Sequence, residues 1–263
     1  MPQIPTNRDD IRALTGLHLW HAGLSNCSQR VRLVLEEKGL GWTSHLVDLF
    51  RFEHATPQYQ TIHPKGLVPA LVHDGRTIID SNDIIAYLDA TFPEPPMHSA
   101  ASQRDLLELA DDNQLCIRTL SHEFMFSDHR RYDAATLAAF DRNHHNSEFA
   151  RFLRQFATEG FSEGRLRECF AALRNACVVL DTRLMTQPWL TGEVPGLADF
   201  SWAPNVHRFA LFDFPLAPYP HLRQWFEKMM QRPSYGAALV AYETAVPPVS
   251  AAERERRRTF FAS

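Results

Sequence analysis

The sequence predicts a small α/β domain followed by an all-helical one, on three observations. Between residues 15 and 93, short apolar runs and amphipathic stretches follow the order β-α-β-α-β-β-α. That is too compact for a dinucleotide-binding domain but suits a small sheet with helices on both faces. Pro93-Glu94-Pro95-Pro96 then breaks the pattern and starts a linker reaching about residue 101. From 101 to 245 apolar residues recur only at helical spacing. Residues 246–263, with Glu253 to Arg258, read as a charged, solvated tail.

Composition narrows the class. A chain of 263 residues, 44% hydrophobic and 22% charged, can build two modest globular domains. A net charge of -4 gives no reason to expect nucleic acid or an anionic membrane surface as partner. The polar N-terminus, with Asp9 and Asp10, resembles neither a secretory signal nor a transit peptide. No apolar run approaches the ~20 residues of a membrane span. Cys27, Cys116, Cys169 and Cys177 are widely spread, so neither a disulfide framework nor a zinc site is indicated. The cytoplasm is the expected compartment.

Leu17-His18-Leu19-Trp20 reads as the first strand, and a helix opens after Leu24. Val31, Val34 and Leu35 form its apolar stripe, leaving Arg30, Arg32, Glu36 and Glu37 free to face water. Lys38 and Gly39 close it. The start of this helix carries Ser25 and Cys27, a hydroxyl and a thiol where orphan N–H groups and the helix dipole favour an anion. Two readings stand there. Ser25 or Ser28 is only a helix cap and Cys27 a small hydrophobe, or the pair stabilises a thiolate.

Trp42 to Asp48 is the second strand, and Pro57 suits the first turn of a short helix. Ala70–Val72 and Thr77–Ile79 are two strands joined through Asp74-Gly75, a strong hairpin signal. Val68-Pro69 precedes the first of them, and spacing leaves its cis or trans state open. Asp80 or Ser81 can cap a helix carrying Ile84, Ile85 and Leu88.

In the second half one long helix is expected from Ser102 to Phe126, then a polar, irregular stretch over 127–160. A long amphipathic helix follows from Ser162, another from Leu197, one opened by Pro220, and a last near Tyr235 to Tyr242. His122-Glu123 and His144-His145 lack metal-site spacing, so no metal is expected.

This arrangement resembles the glutathione transferase superfamily, which pairs a thioredoxin-like α/β N-terminal domain with an all-α C-terminal domain. Ser25-Asn26-Cys27-Ser28 is similar to the Ser-x-Cys-Ser motif of Zeta-class enzymes and related reductive dehalogenases. Val68-Pro69 resembles the Val-cis-Pro loop and Asp80-Ser81 the acid–Ser pair of that superfamily. Glu53 to Pro57 is similar to Theta-class and bacterial β-aryl etherase sequences. Gly196-Leu197-Ala198-Asp199 matches the helical-domain capping box, with Gly196 in place of the hydroxyl. The resemblance covers about residues 15–245.

It implies glutathione as co-substrate, lying along the C-terminal edge of the sheet. The backbone of Val68, before Pro69, would pair with the cysteinyl part, and Asp80 and Ser81 would hold the γ-glutamyl end. His54 and Lys65 are either ligands of the glycine carboxylate or solvated loop residues. Ser25 is implied as the thiolate-stabilising donor. Cys27 is second, as a supporting contact or as the nucleophile resolving a mixed disulfide. The partner substrate would be a small hydrophobic electrophile, open to ether cleavage, dehalogenation or isomerisation. Its pocket would draw on Asn113, Cys116, Ile117, Leu120 and His122, with Phe124, Phe126 and the Phe200–Phe214 region either walling it or packing the core. A homodimer is implied. The alternative is a binding or interaction protein of the same fold without turnover.

Overall fold

The computed structural model describes residues 3–4, 8–97, 103–127, 132, 134–245 and 249–262. Its sheet has strands β1 (Gln3–Ile4), β2 (Leu17–His21), β3 (Trp42–Leu46), β4 (Ala70–His73) and β5 (Arg76–Ile79), in the order β1-β5-β4-β2-β3. β2 and β3 run parallel, and the other pairs are antiparallel. Asp74 and Gly75 both hold positive φ, 47° and 75°, as the tight β4–β5 hairpin requires. β1 pairs with β5 and α1 (Asp9–Arg12) follows it, so the sheet reaches beyond the predicted start at residue 15.

Alternation along β2 sends Leu17 and Leu19 to one face, against α2 (Asn26–Glu37) and α4 (Ser81–Thr91). The other face packs Ala70, Val72 and Ile79 on Ile11 of α1 and on Ile62, just past α3 (Pro57–Gln60). Thr56 caps α3 by accepting from the Tyr59 N–H, with Pro57 at its first position.

The helical half comprises α5 (Arg104–Asp112), α6 (Gln114–Met125), α7 (Ala134–Asn143), α8 (Ser147–Thr158), α9 (Glu163–Leu184), α10 (Leu197–Leu211), α11 (Pro220–Met230), α12 (Pro233–Ala238) and α13 (Ala251–Ala262). Three expectations need correction. The single helix over 102–126 is two, broken at Asn113, whose side-chain amide donates to its own Leu109 carbonyl. The stretch 127–160 contains α7 and α8 rather than irregular chain. α8 is capped by Asn146 and buries Ala150, Leu153 and Phe156 on one stripe. The stripe is narrow and set among Glu, Arg and Gln, so its stability comes from packing on neighbouring elements. The tail keeps most of its charged residues exposed, as expected, but it is a helix docked through Arg257 and Phe261, which are buried. α13 inserts Phe260 and Phe261 among Phe124, Phe170, Phe212 and Phe214. Arg257 on α13 ties the backbones of Phe124 and Leu211 to the Asp213 carboxylate.

α2 is enclosed by the sheet, α4, α10 and α12. This overturns the reading of Arg30 and Arg32 as water-facing, since they are 1% and 0% exposed. At the start of α10, Asp199 is buried and accepts from the N–H groups of Gly196 (3.0 Å) and Leu190 (2.8 Å), from Thr191 Oγ1 (2.8 Å) and from Trp225 Nε1 (2.7 Å). A Cβ on Gly196 would lie 2.6 Å from the Met97 carbonyl, which is why glycine replaces the expected hydroxyl residue.

Candidate active site

Ser25 has extended backbone and caps α2, its Oγ accepting from the Ser28 N–H at 3.2 Å. Ser28 Oγ turns the other way and accepts from the Ala22 N–H. Capping uses only an acceptor lone pair of Ser25, so its O–H stays available as a donor. The cap and donor readings are therefore compatible. Cys27 sits half-buried one turn-position further, beside first-turn N–H groups that take no carbonyl from their own helix.

The loop entering α2 is held from behind by two buried guanidiniums. Arg32 donates to the carbonyls of Ala22 (3.1 Å) and Gly23 (2.8 Å), and Arg208 of α10 donates to that of Leu24. Burial lowers both arginines to a pKa of about 10, so both stay charged at neutral pH. The ring of Tyr242 covers Arg32 at 3.9 Å. Three successive carbonyls are thus tied to cations, and the charge beneath the loop favours an anion at its mouth. Arg30 makes the parallel link, donating to Ser81 Oγ at 2.8 Å and to the Ser201 carbonyl, with the Asp111 carboxylate 3.5 Å away.

Across the sheet edge, the Val68–Pro69 peptide is cis. The preceding loop is pinned by Tyr59 Oη donating to the Leu67 carbonyl at 2.6 Å and by His144 Nε2 donating to the Gly66 carbonyl at 3.1 Å. Gly66 has φ 56°, and a Cβ there would meet His144 Nε2 at 2.7 Å, so only glycine fits. Asp80 stands at the N-cap position of α4 without a side-chain cap bond, at φ 66°, a conformation costing a non-glycine residue about 1–3 kcal/mol. Its carboxylate accepts from Lys65 Nζ at 3.0 and 3.2 Å. Asp80 is therefore already matched to an ammonium group, and Ser81 Oγ beside it retains its hydrogen for donation.

His54 is placed differently from a solvated loop residue. It is 3% exposed among Phe52, Phe140, His144 and Phe149, and neither ring nitrogen has a partner among the described residues. Burial pushes it down to about 3, so it is neutral and poorly suited to pairing with a carboxylate. His21 is pushed to about 3 and His63 to about 4 for the same first cause. Their unfolded pKa is about 6.5, so below that pH the unfolded chain binds protons that the folded chain excludes. Stability is accordingly full above about pH 6.5. Below it, each histidine removes up to about 1.4 kcal/mol per pH unit. Urea midpoints should fall between pH 7 and pH 5, and a flat or rising midpoint would contradict neutral burial.

On the helical side, Gln114 exchanges hydrogen bonds with Asn26, which also donates to Asn205. Of the residues considered for a pocket, Ile117, Leu120, Phe124, Phe200, Phe209, Phe212 and Phe214 belong to the core. Asn113 is buried at the α5–α6 break, and the Cys116 thiol sits against Cys169. His122 lies among Phe126, Phe152 and Phe156 and is pushed by burial to about 3. Phe126 stays half-buried between Phe50 and Arg208, on the loop side. The two buried arginines of α2, and Arg208, were missed in the sequence. The signal available was Arg-x-Arg directly after the Ser-x-Cys-Ser start.

A thioredoxin-like sheet bearing a hydroxyl-capped helix and a cis-proline loop, joined to an all-helical domain, defines a class of two-domain proteins built around a thiol site. The particular family follows from comparison. The glutathione S-transferase N-terminal domain matches residues 24–91 and the glutathione S-transferase C-terminal domain residues 136–228. Glutathione S-transferase Z1 of Arabidopsis thaliana is 30% identical over 88% of this chain and 95% of its own. Maleylacetoacetate isomerase of Pseudomonas aeruginosa is 28% identical over 85% of this chain and 95% of its own. The beta-etherase LigF of Sphingobium sp. strain SYK-6 superposes with a TM-score of 0.77 at 25% identity, over 85% of this chain and 98% of that one. The chain belongs to the glutathione S-transferase family, whose members use glutathione as co-substrate. None of the described helices is long and apolar enough to cross a membrane.

Proposed function

We propose that this chain is a glutathione transferase in which the Ser25 hydroxyl donates to the glutathione thiolate, and that the thiolate attacks an electrophilic carbon of a small, largely apolar co-substrate. The carbon–sulfur bond forms as the leaving group departs with its bonding electrons, or as an adduct that later releases glutathione. The observation carrying this reading is the split use of Ser25: its lone pair caps α2 while its O–H is left for an anion. The cations tied to the carbonyls of Ala22, Gly23 and Leu24 support it by lowering the cost of negative charge there. Cys27 serves as a neighbouring thiol, supporting the anion or resolving a mixed disulfide.

In this reading Asp80 receives the γ-glutamyl ammonium, exchanging Lys65 for it. Ser81 and the first N–H groups of α4 receive the α-carboxylate. Lys65, released, is free for the glycine carboxylate, a role the neutral His54 does not share. The backbone of Val68 before Pro69 pairs with the cysteinyl unit. A cytoplasmic homodimer agrees with the composition and with the pairing usual in the family.

Calorimetry tests this directly. Glutathione should bind the wild type with a dissociation constant below a few millimolar. Asp80→Asn, losing one charge-assisted contact, should weaken it by about tenfold or more. A folded protein showing no heat of binding up to several millimolar would remove the proposal.

A further inference from the structure

Arg118 differs from the other buried or half-buried arginines around the site. Arg30, Arg32, Arg208 and Arg257 each donate to carbonyls or side chains. Among the described residues, no oxygen accepts a hydrogen bond from the Arg118 guanidinium. Its neighbours are instead the rings of Phe149, 5.0 Å from centroid to guanidinium carbon, and Phe152, at 5.9 Å. Burial lowers its pKa, and the nearby Cys27 thiol opposes that shift only in part.

The guanidinium lines a cavity of about 490 Å³ between α6 and α8. Leu115, Thr119, Phe149, Phe152 and Phe161 supply much of its wall. Its charged groups are Arg118, Arg151, Arg165 and Glu148; Arg151 and Glu148 are both solvent-exposed, Arg165 lies 3.9 Å from the Glu168 carboxylate, and Arg118 is the cation set against the aromatic wall. The cavity is also tied to the thiol site. Gln114, one turn before Arg118 on the same face of α6, bonds the Asn26 side chain at the start of α2. Arg118 itself lies within electrostatic reach of Cys27. On the far wall, Phe149 packs against His144, which holds the Gly66 carbonyl ahead of the cis-proline.

Phe149 and Phe152 stack on each other, centroids 6.2 Å apart, with the five-donor guanidinium fork set against both rings, an arrangement that suits a planar ring carrying a carboxylate. We propose that this cavity holds the electrophilic co-substrate and selects aromatic carboxylates, Arg118 taking the carboxylate in a bidentate pair while Phe149 and Phe152 take the ring. The role as co-substrate site rests on the transferase reading above. The binding preference does not depend on turnover.

The test titrates the full chain with 4-chlorobenzoate and with 4-chlorobenzamide, its neutral isostere, each with and without saturating S-methylglutathione. The wild type should bind the benzoate about tenfold more tightly than the amide. In Arg118→Gln the ratio should fall to about one, through loss of benzoate affinity. Arg118→Lys should fall between, keeping the charge but not the fork. Equal affinities in the wild type, or a preference that survives Arg118→Gln, would overturn the proposal. A second measurement needs no variant. 4-Chlorobenzoate should protect Arg118 from phenylglyoxal modification, read by peptide mass, and the amide should not; equal protection by the two, or none by the benzoate, counts against it. If S-methylglutathione fails to bind while the benzoate preference holds, the transferase reading falls and the anion site stands. The reverse pattern removes the anion site alone.

Discussion

Ser25→Ala is expected to raise the pKa of bound glutathione and to slow turnover by about a hundredfold. The Ser25 hydroxyl caps α2 as an acceptor, so its hydrogen remains for donation to an anion at the helix start. Removing one preorganised donor to a developing anion costs on the order of 3 kcal/mol. The same change also removes the helix cap, at about 1 kcal/mol of stability. The two effects separate experimentally, because lost stability lowers the urea midpoint without moving a thiolate titration. Cys27→Ser should cost much less, since a hydroxyl fits the same space. If turnover instead runs through a protein–glutathione disulfide, Cys27→Ser will stop the reaction at the glutathione conjugate. The measurement is thiolate absorbance against pH, with single-turnover product analysis for both variants. An unchanged thiolate pKa and wild-type rate in Ser25→Ala would refute the assignment.

Asp199→Ala should be the most damaging single change to stability, by about 3–5 kcal/mol. The carboxylate is fully enclosed and accepts from four donors. Burial raises its pKa, and those hydrogen bonds oppose the rise. Truncation leaves the Trp225 indole N–H and the Leu190 N–H buried without partners, each costing about 1–3 kcal/mol. It also unties the start of α10, the helix that sends Arg208 to the Leu24 carbonyl, so activity should fall along with stability. Thr191→Val removes one of the four donors and should cost about 1 kcal/mol. Urea denaturation of the three proteins decides this, and an Asp199→Ala penalty no larger than that of Thr191→Val would contradict it.

What the sequence by itself determined was the order of elements in the first domain, the hairpin at Asp74-Gly75, the helix start at Ser25 and the acid–Ser pair at Asp80-Ser81. These are local facts: alternation, turn residues and caps act within a few positions of chain. The family resemblance was carried by the same short motifs. Periodicity also located α9 to α11, because each has a broad apolar stripe. Tertiary structure alone decided the fate of the charged and aromatic residues between them. Arg30 and Arg32 occupy polar positions of an amphipathic pattern, yet they are buried because α10 and α12 close over that face. Their acceptors lie far along the chain, at Ser81, Ser201 and Ala238, or in the preceding loop. His54 reads as a polar loop residue and becomes a neutral core imidazole once α7 and α8 bring Phe140 and Phe149 onto it. α13 docks by two phenylalanines at the end of an otherwise charged run, too few for a hydrophobic pattern but enough to fill a gap among Phe124, Phe170 and Phe212. A pattern records which residues a lone element would sort toward water. Whether a charge ends in the core depends on partners that only the folded chain brings within hydrogen-bonding distance.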